Sequence, residues 1–208
     1  YASNTAGLPT GTYFYNILNA DGSPSATWTQ VTNAWNSMRQ FKRDGSNLYA
    51  IGNASTTNIP TIWQMNSGVA TQIGQIDQTI TFLPFELDMC GSTFVVVGSA
   101  APFFSLSLDS GVTWTPLTAS PFGAATVAFS VSFRNSNEIW VATGTGDNLW
   151  YTTDNGVSWV NANKFAVTAA NAIRDMVWIN DHVGFCADTI FATSASTKLL
   201  YSNNGGYT

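Results

Sequence analysis

Charge is what this sequence has least of. Only 9% of its 208 residues are Asp, Glu, Lys or Arg, and the net charge is −5 with just seven basic residues. Globular chains carry roughly a quarter charged residues. Nucleic-acid binding needs clustered cations to neutralise phosphates. The one basic cluster, Arg39, Lys42 and Arg43, is too small for that, so no nucleic-acid partner is expected. An anionic membrane surface is disfavoured for the same reason. A long apolar run is missing too. FVVVGSAAPFFSLSL at 94–108 is interrupted by Gly, Pro and Ser, whereas a spanning helix needs about 20 apolar residues. No membrane insertion is expected.

Histidine and cysteine are almost absent. His182 is the single histidine, which leaves a Ser-His-Asp triad one conceivable base and no Gly-x-Ser-x-Gly beside it. Cys90 and Cys186 show no Cys-x-x-Cys spacing and no histidine at ligand spacing, so no zinc site is expected. Cys90 reads as a turn residue and Cys186 as part of a strand two repeats away, which argues against a disulfide between them. No EF-hand loop occurs, and no metal or cofactor is expected. No signal peptide is visible and the chain opens at Tyr1, which fits a mature or fragmentary product.

What fills the chain instead is 45% apolar residues, 13% aromatics, and a polar complement of Ser, Thr, Asn and Gly. A surface of hydroxyls and amides suits an extracellular or virion-surface protein. The chain also repeats itself. SLDSGVTW at 107–114 returns as TTDNGVSW at 152–159, closing on Trp114 and Trp159, 45 residues apart. SNNGGYT at 202–208 keeps the frame with Asn204 in place of Asp, and MNSGVAT at 65–71 and Trp28 continue it backwards in decayed form. Between these anchors each unit opens with alternating apolar residues, as in ATVAFSVSFRN, and continues through a second apolar run, EIWVATG, a third, NLWYTT, and a fourth starting at the octapeptide's Trp, VSWVNA. Period-two alternation bounded by Gly, Asn and Asp predicts strands, with helix near absent.

Four antiparallel strands per unit of about 45 residues is the blade of a β-propeller. The expected fold class is all-β, a propeller of four-stranded blades forming part of a larger ring. The units run 1–31 (the last strands of an incomplete blade), 32–74, 75–117, 118–162, and 163–208 (a blade lacking its last strand). A four-bladed ring, closed by the strand at Trp28 joining the last blade, is the alternative.

The two octapeptides resemble the Asp-box, or BNR, repeat of sialidases, xyloglucan-cleaving glycosidases, sortilin-type receptors and photosystem II assembly factors. AIRDMVWINDHVGFCADT followed by LLYSNNGGYT is most similar to the assembly factors and to secreted or phage propellers. The resemblance implies a propeller fold and says little about activity. Physically, the Asp carboxylate can accept backbone N–H groups two residues on while Gly takes a positive φ. The Trp buries its ring between blades. Ser107, Asp109, Gly111, Thr113, Trp114, Thr152, Asp154, Gly156, Ser158, Trp159, Ser202, Asn204, Gly206 and Thr208 are therefore expected to be structural.

Catalytic candidates are few. A glycosidase needs two facing carboxyl groups, and Glu86, Asp88 and Asp175 are the acids on first strands of their units. The bland reading has them capping turns or pairing with Arg174 and Arg43. A sialidase would need an Arg-Ile-Pro motif, and none occurs. Ligand-binding candidates are Arg39, Arg43, Arg134 and Arg174 on first strands, and Trp35 in the loop TNAWNSM. Asn53 opens an Asn-Ala-Ser glycosylation pattern. The expectation is a non-enzymatic interaction or adhesion module for a glycan or protein surface, within a larger assembly. A hydrolase using paired carboxylates and a protein-assembly factor are the alternatives.

Overall fold

The computed structural model describes residues 2–3, 13–15, 21, 23, 29–31, 35–54, 59–66, 69–76, 83–99, 103–117, 121–122, 127–144, 149–162, 172–189 and 198–206. They form five antiparallel sheets, and no helix occurs among them. The N-terminal sheet holds β1 (Ala2–Ser3), β2 (Tyr13–Tyr15) and β3 (Thr29–Val31). The first four-stranded blade is β4 (Trp35–Asp44), β5 (Asn47–Ala54), β6 (Pro60–Asn66) and β7 (Val69–Gln75). The second is β8 (Leu83–Cys90), β9 (Thr93–Ser99), β10 (Phe104–Ser107) and β11 (Thr115–Pro116). The third is β12 (Ala128–Asn135), β13 (Glu138–Thr143), β14 (Leu149–Thr152) and β15 (Val160–Asn161), and β16 (Ala172–Trp178), β17 (Gly184–Thr189) and β18 (Lys198–Ser202) form a three-stranded fourth.

Within each sheet, strands neighbouring in sequence are neighbours in space. The first strands β4, β8, β12 and β16 lie beside one another from blade to blade. This is the β-propeller that the alternation and period predict. The second strands β9 and β13 are buried almost throughout, because both of their faces are covered by neighbouring blades. Burying a Val, Ile or Phe there contributes about 1.5–3 kcal/mol each.

The cores sit between blades. Ile51 and Ile62 of the first blade pack with Leu87, Phe94 and Val96 of the second. Val95, Phe104 and Leu106 of the second pack with Val131, Ile139 and Val141 of the third. Trp140 and Leu149 of the third pack with Ile173, Met176 and Cys186 of the fourth. Val31 of β3 packs on Ala50, Trp63 and Met65 of the first blade. The closure alternative is not what the described residues show, since β3 pairs with β2 and β18 pairs only with β17.

Several local expectations change. Cys90 ends strand β8 rather than sitting in a turn, while neither Cys90 nor Cys186 forms a disulfide, as expected. Asn53 is 1% exposed inside β5, so the folded chain does not present it for glycosylation. Trp35 begins strand β4 instead of lying in a loop, and its side chain lies outside the described residues, as do Trp28 and Thr208. Trp63 and Trp140 are buried core rings.

Candidate functional site

The innermost strands share an irregularity. The pairing of each with the second strand of its blade skips a residue at a matching place, Arg39 between Met38 and Gln40, Phe85 between Pro84 and Glu86, Phe129 between Ala128 and Ser130, and Arg174 between Ile173 and Asp175, and β4 and β12 each skip one more, Asn36 and Arg134. Such a skip is a β-bulge, which re-aims a side chain out of the regular alternation. Here the four bulges fall at the same place in four successive blades. Phe85 and Phe129 stack with centroids 5.5 Å apart and planes at 28°. The Arg174 guanidinium lies 3.7 Å from the Phe129 centroid. One ladder of flat side chains thus crosses three blades, and Arg39 stands exposed at the equivalent position of the first.

Beside the ladder runs a line of clamps. The innermost strand has one edge without a strand partner, so its N–H groups need other acceptors. Gln40 Oε1 accepts the N–H of Leu87 at 2.6 Å, and Gln40 Nε2 donates to Glu86 Oε1 at 3.1 Å. Glu86 Oε2 accepts the N–H of Val131 at 3.0 Å. Asp88 Oδ2 accepts the N–H of Phe133 at 2.8 Å while its Oδ1 meets Lys42 Nζ at 2.8 Å. Ser132 Oγ accepts the N–H of Trp178 at 3.0 Å. Each of the three junctions among the first to fourth blades therefore has at least one side chain bonded to the next blade's backbone.

Glu86 and Asp88 do share one face of β8, as their i, i+2 spacing predicts. Their partners differ from those expected, being Gln40 and Lys42 of β4 and backbone N–H groups of β12 rather than Arg43 or Arg174. Burial pushes the Glu86 carboxyl up to about 7, with the Asp175 charge adding to the rise. The Val131 N–H, bonded to Glu86 Oε2, and the charge of Lys42 pull the other way. Asp175 is exposed. Arg43 Nε donates to the Gly45 carbonyl at 2.8 Å. Arg134 is held in a different place, with Nη2 on Glu138 Oε2 at 2.6 Å and Nη1 on the Gly205 carbonyl at 2.7 Å. It does not join the ladder.

The octapeptides lie at the other edge of the blades and do local work. Asp109 Oδ1 accepts from Ser107 Oγ and from the Thr113 N–H, each at 2.8 Å, and Oδ2 accepts from Thr113 Oγ1 at 2.6 Å. Asp154 repeats this with Thr152 and Ser158. The backbone bond therefore reaches four residues on, not two. The Thr113 and Ser158 hydroxyls are the main reason both aspartates are held at about 2. Two consecutive residues take positive φ in each turn, Ser110 and Gly111, then Asn155 and Gly156. A Cβ on Gly156 would stand 3.1 Å from the Phe104 ring. Trp159 meets Phe104 and Phe122 edge-on at 5.0 and 4.9 Å, across a blade boundary. In the third copy Ser202 Oγ donates to Asn204 Oδ1 at 3.0 Å and accepts the Gly206 N–H at 2.8 Å. His182 lies in an exposed turn, and among the described residues no group of His, Cys, Asp and Glu is placed to hold a metal.

Sequence reasoning named Arg39 and Arg174 but missed Phe85 and Phe129. Their spacing was the available signal, since 39, 85, 129 and 174 differ by 46, 44 and 45. A bulge leaves no mark in alternation, however, and a Phe in a strand reads as core.

No family model and no curated protein matches the chain. Solved structures do. YCF48 bound to D1 peptide superposes with a TM-score of 0.63 at 15% identity, over 97% of this chain and 67% of that one. YCF48 from Cyanidioschyzon merolae gives 0.61 at 12%, over 97% and 72%. The GH74 enzyme of Niastella koreensis gives 0.61 at 14%, over 81% of this chain and 29% of that one. At these identities the likeness establishes the propeller fold alone.

Proposed function

We propose that this chain is a non-enzymatic interaction module, an Asp-box propeller of an extracellular or virion surface that engages a glycan or protein surface. Recognition takes place where the bulge residues Arg39, Phe85, Phe129 and Arg174 gather. The observation that carries this reading is the employment of the inner carboxylates. Glu86 and Asp88 each accept a backbone N–H from the next blade, and Asp88 also neutralises Lys42. Acids so engaged hold blades together and are poorly placed to exchange protons with a substrate. The ladder meets a requirement of surface recognition, flat groups fixed by their neighbours before any partner arrives. A neighbouring propeller described as bound to a peptide is consistent with a protein partner.

A hydrolase is the second reading. Its support is Glu86, raised to about 7 by desolvation with the charge of the exposed Asp175 contributing, since a carboxyl so raised suits a general acid. The test sets binding against turnover. The chain is passed over immobilised glycans and proteins, and the same glycans are followed for cleavage. Binding weakened by Phe85→Ala or Arg174→Ala without turnover supports the module. Turnover abolished by both Glu86→Gln and Asp175→Asn overturns it.

A further inference from the structure

Two cavities open at matching places between blades. One, of about 250 Å³, joins the second and third blades and is lined by Phe104, Leu106, Pro116 and Leu117, with Gly156 of the next octapeptide facing them. The other, of about 190 Å³, joins the third and fourth and is lined by Tyr151, Asn161 and Ala162, with Gly206 in the facing position. Leu106, Pro116 and Leu117 stand 45 residues before Tyr151, Asn161 and Ala162, so one cavity is the other rebuilt. Its chemistry differs. Tyr151 replaces Leu106, Asn161 replaces Pro116, and Arg134, Glu138 and Trp140 also line the second cavity, where the second blade has Cys90, Thr93 and Val95. Arg134 and Glu138 form a largely buried ion pair at 2.6 Å, and Glu138 Oε1 accepts Trp140 Nε1 at 2.5 Å. Tyr151 is half-buried and lies on Trp140, with centroids 5.0 Å apart and planes at 24°. A buried ion pair carries a desolvation cost that packed carbon does not, and among the described residues Arg134 Nε has no acceptor. The second blade packs on the third without such a pair, so the junction itself does not call for one.

We propose that the cavity between the third and fourth blades is a site for a neutral sugar ring, its C–H face against Tyr151 and its hydroxyls on Glu138, Arg134 and Asn161. The site is separate from the ladder and does not depend on it. Its volume suits one ring, since a cavity of about 150 Å³ accepts benzene. Apolar walls with a few convergent polar groups are what a small-molecule site requires. Each Glu138 oxygen has a lone pair beyond the bond it already accepts, and each terminal Arg134 nitrogen a hydrogen beyond the one it already donates. A hydroxyl both donates and accepts, so neighbouring hydroxyls on one rigid ring can meet acceptor and donor side by side. The ion pair is neutral as a unit, which gives an anionic sugar no advantage.

The experiment titrates nitrogen-15-labelled chain with methyl glucoside, methyl galactoside and methyl mannoside, then with the methyl uronide of whichever binds, and follows the indole N–H signals. At least one neutral glycoside is expected to bind with a Kd on the order of 1 mM. It should move the Trp140 indole signal, because that N–H is bonded to Glu138. The uronide should bind about tenfold more weakly, its carboxylate meeting Glu138. Tyr151→Leu, which installs the residue the second blade already carries there, should fold and lose about tenfold in affinity. Asn161→Ala, at an exposed position, should lose about threefold. Near-ultraviolet circular dichroism checks both folds. Phe85→Ala should leave the affinity unchanged. The inference is overturned if none of the three glycosides binds, if the uronide binds as tightly, if the Trp140 signal stays in place, or if Tyr151→Leu keeps full affinity. A sugar lost with Phe85→Ala instead would belong to the ladder, which overturns the cavity site and leaves the interaction module standing.

Discussion

The same functional group behaves oppositely at the two edges of a blade. At the octapeptide edge Asp109 and Asp154 are exposed and collect three hydrogen bonds each from groups within four residues, which holds them near 2. On the innermost strand Glu86 is half-buried and bonded to residues more than forty positions away, and the loss of solvent around it lifts it to about 7. The local carboxylates shape a turn. The distant ones join blades. One carboxylate chemistry thus serves two levels of the fold, and whether partners are near or far in sequence tells them apart.

Breaking the inner set should cost most. Asp88→Ala strands Lys42 and leaves the Phe133 N–H without its acceptor. A loss of about 4 kcal/mol in urea unfolding is expected, and Asp88→Asn, which keeps an acceptor, should recover roughly half of it. Trp159→Ala comes next. It empties the space beside Phe104 and Phe122, for a loss of about 3 kcal/mol that Trp159→Phe partly restores. The outer aspartates should give the smallest effect, and only in acid. Their pKa lies below the ordinary value, so the stability they contribute is present above about 4 and lost as pH falls towards about 2. Asp109→Asn should flatten that part of the thermal-midpoint profile and change little at neutral pH. Asn204 already shows an amide tolerated at this place.

Much of the architecture was legible in the sequence because it depends on periodicity. Alternation such as AFSVSF marks a first strand, a short apolar run such as IWVA marks a second strand covered on both faces, the recurring octapeptide marks the hairpin between third and fourth strands, and their spacing marks the blade. The turn chemistry was legible as well, since Ser107, Asp109 and Thr113 are near one another in the chain. The inner site was legible only in part. Glu86 and Asp88 could be placed on one face of a strand, but what they touch lies on other blades. The ladder depends on bulges at Arg39, Phe85, Phe129 and Arg174, and a bulge is a register fault between two strands that neither strand's own pattern records. Arg134 shows the converse error. It lies near the end of a first strand and read as a ligand-binding candidate, but Glu138, four residues on, claims it instead.

That the inner carboxylates are interblade clamps, with a half-buried acid of raised pKa among them, is tested most directly by the stability of Glu86→Gln against pH. Glutamine mimics the neutral acid. With a folded pKa of about 7 against an ordinary 4.5, the native state keeps a proton the unfolded chain has released. Wild-type stability should therefore fall as pH rises from about 4.5 to 7, by roughly 3 kcal/mol in all, and level off above. The variant should match wild type near pH 5, show no such fall, and be the more stable of the two at pH 8. Parallel profiles for the two proteins, or a variant less stable at pH 8, would contradict the account.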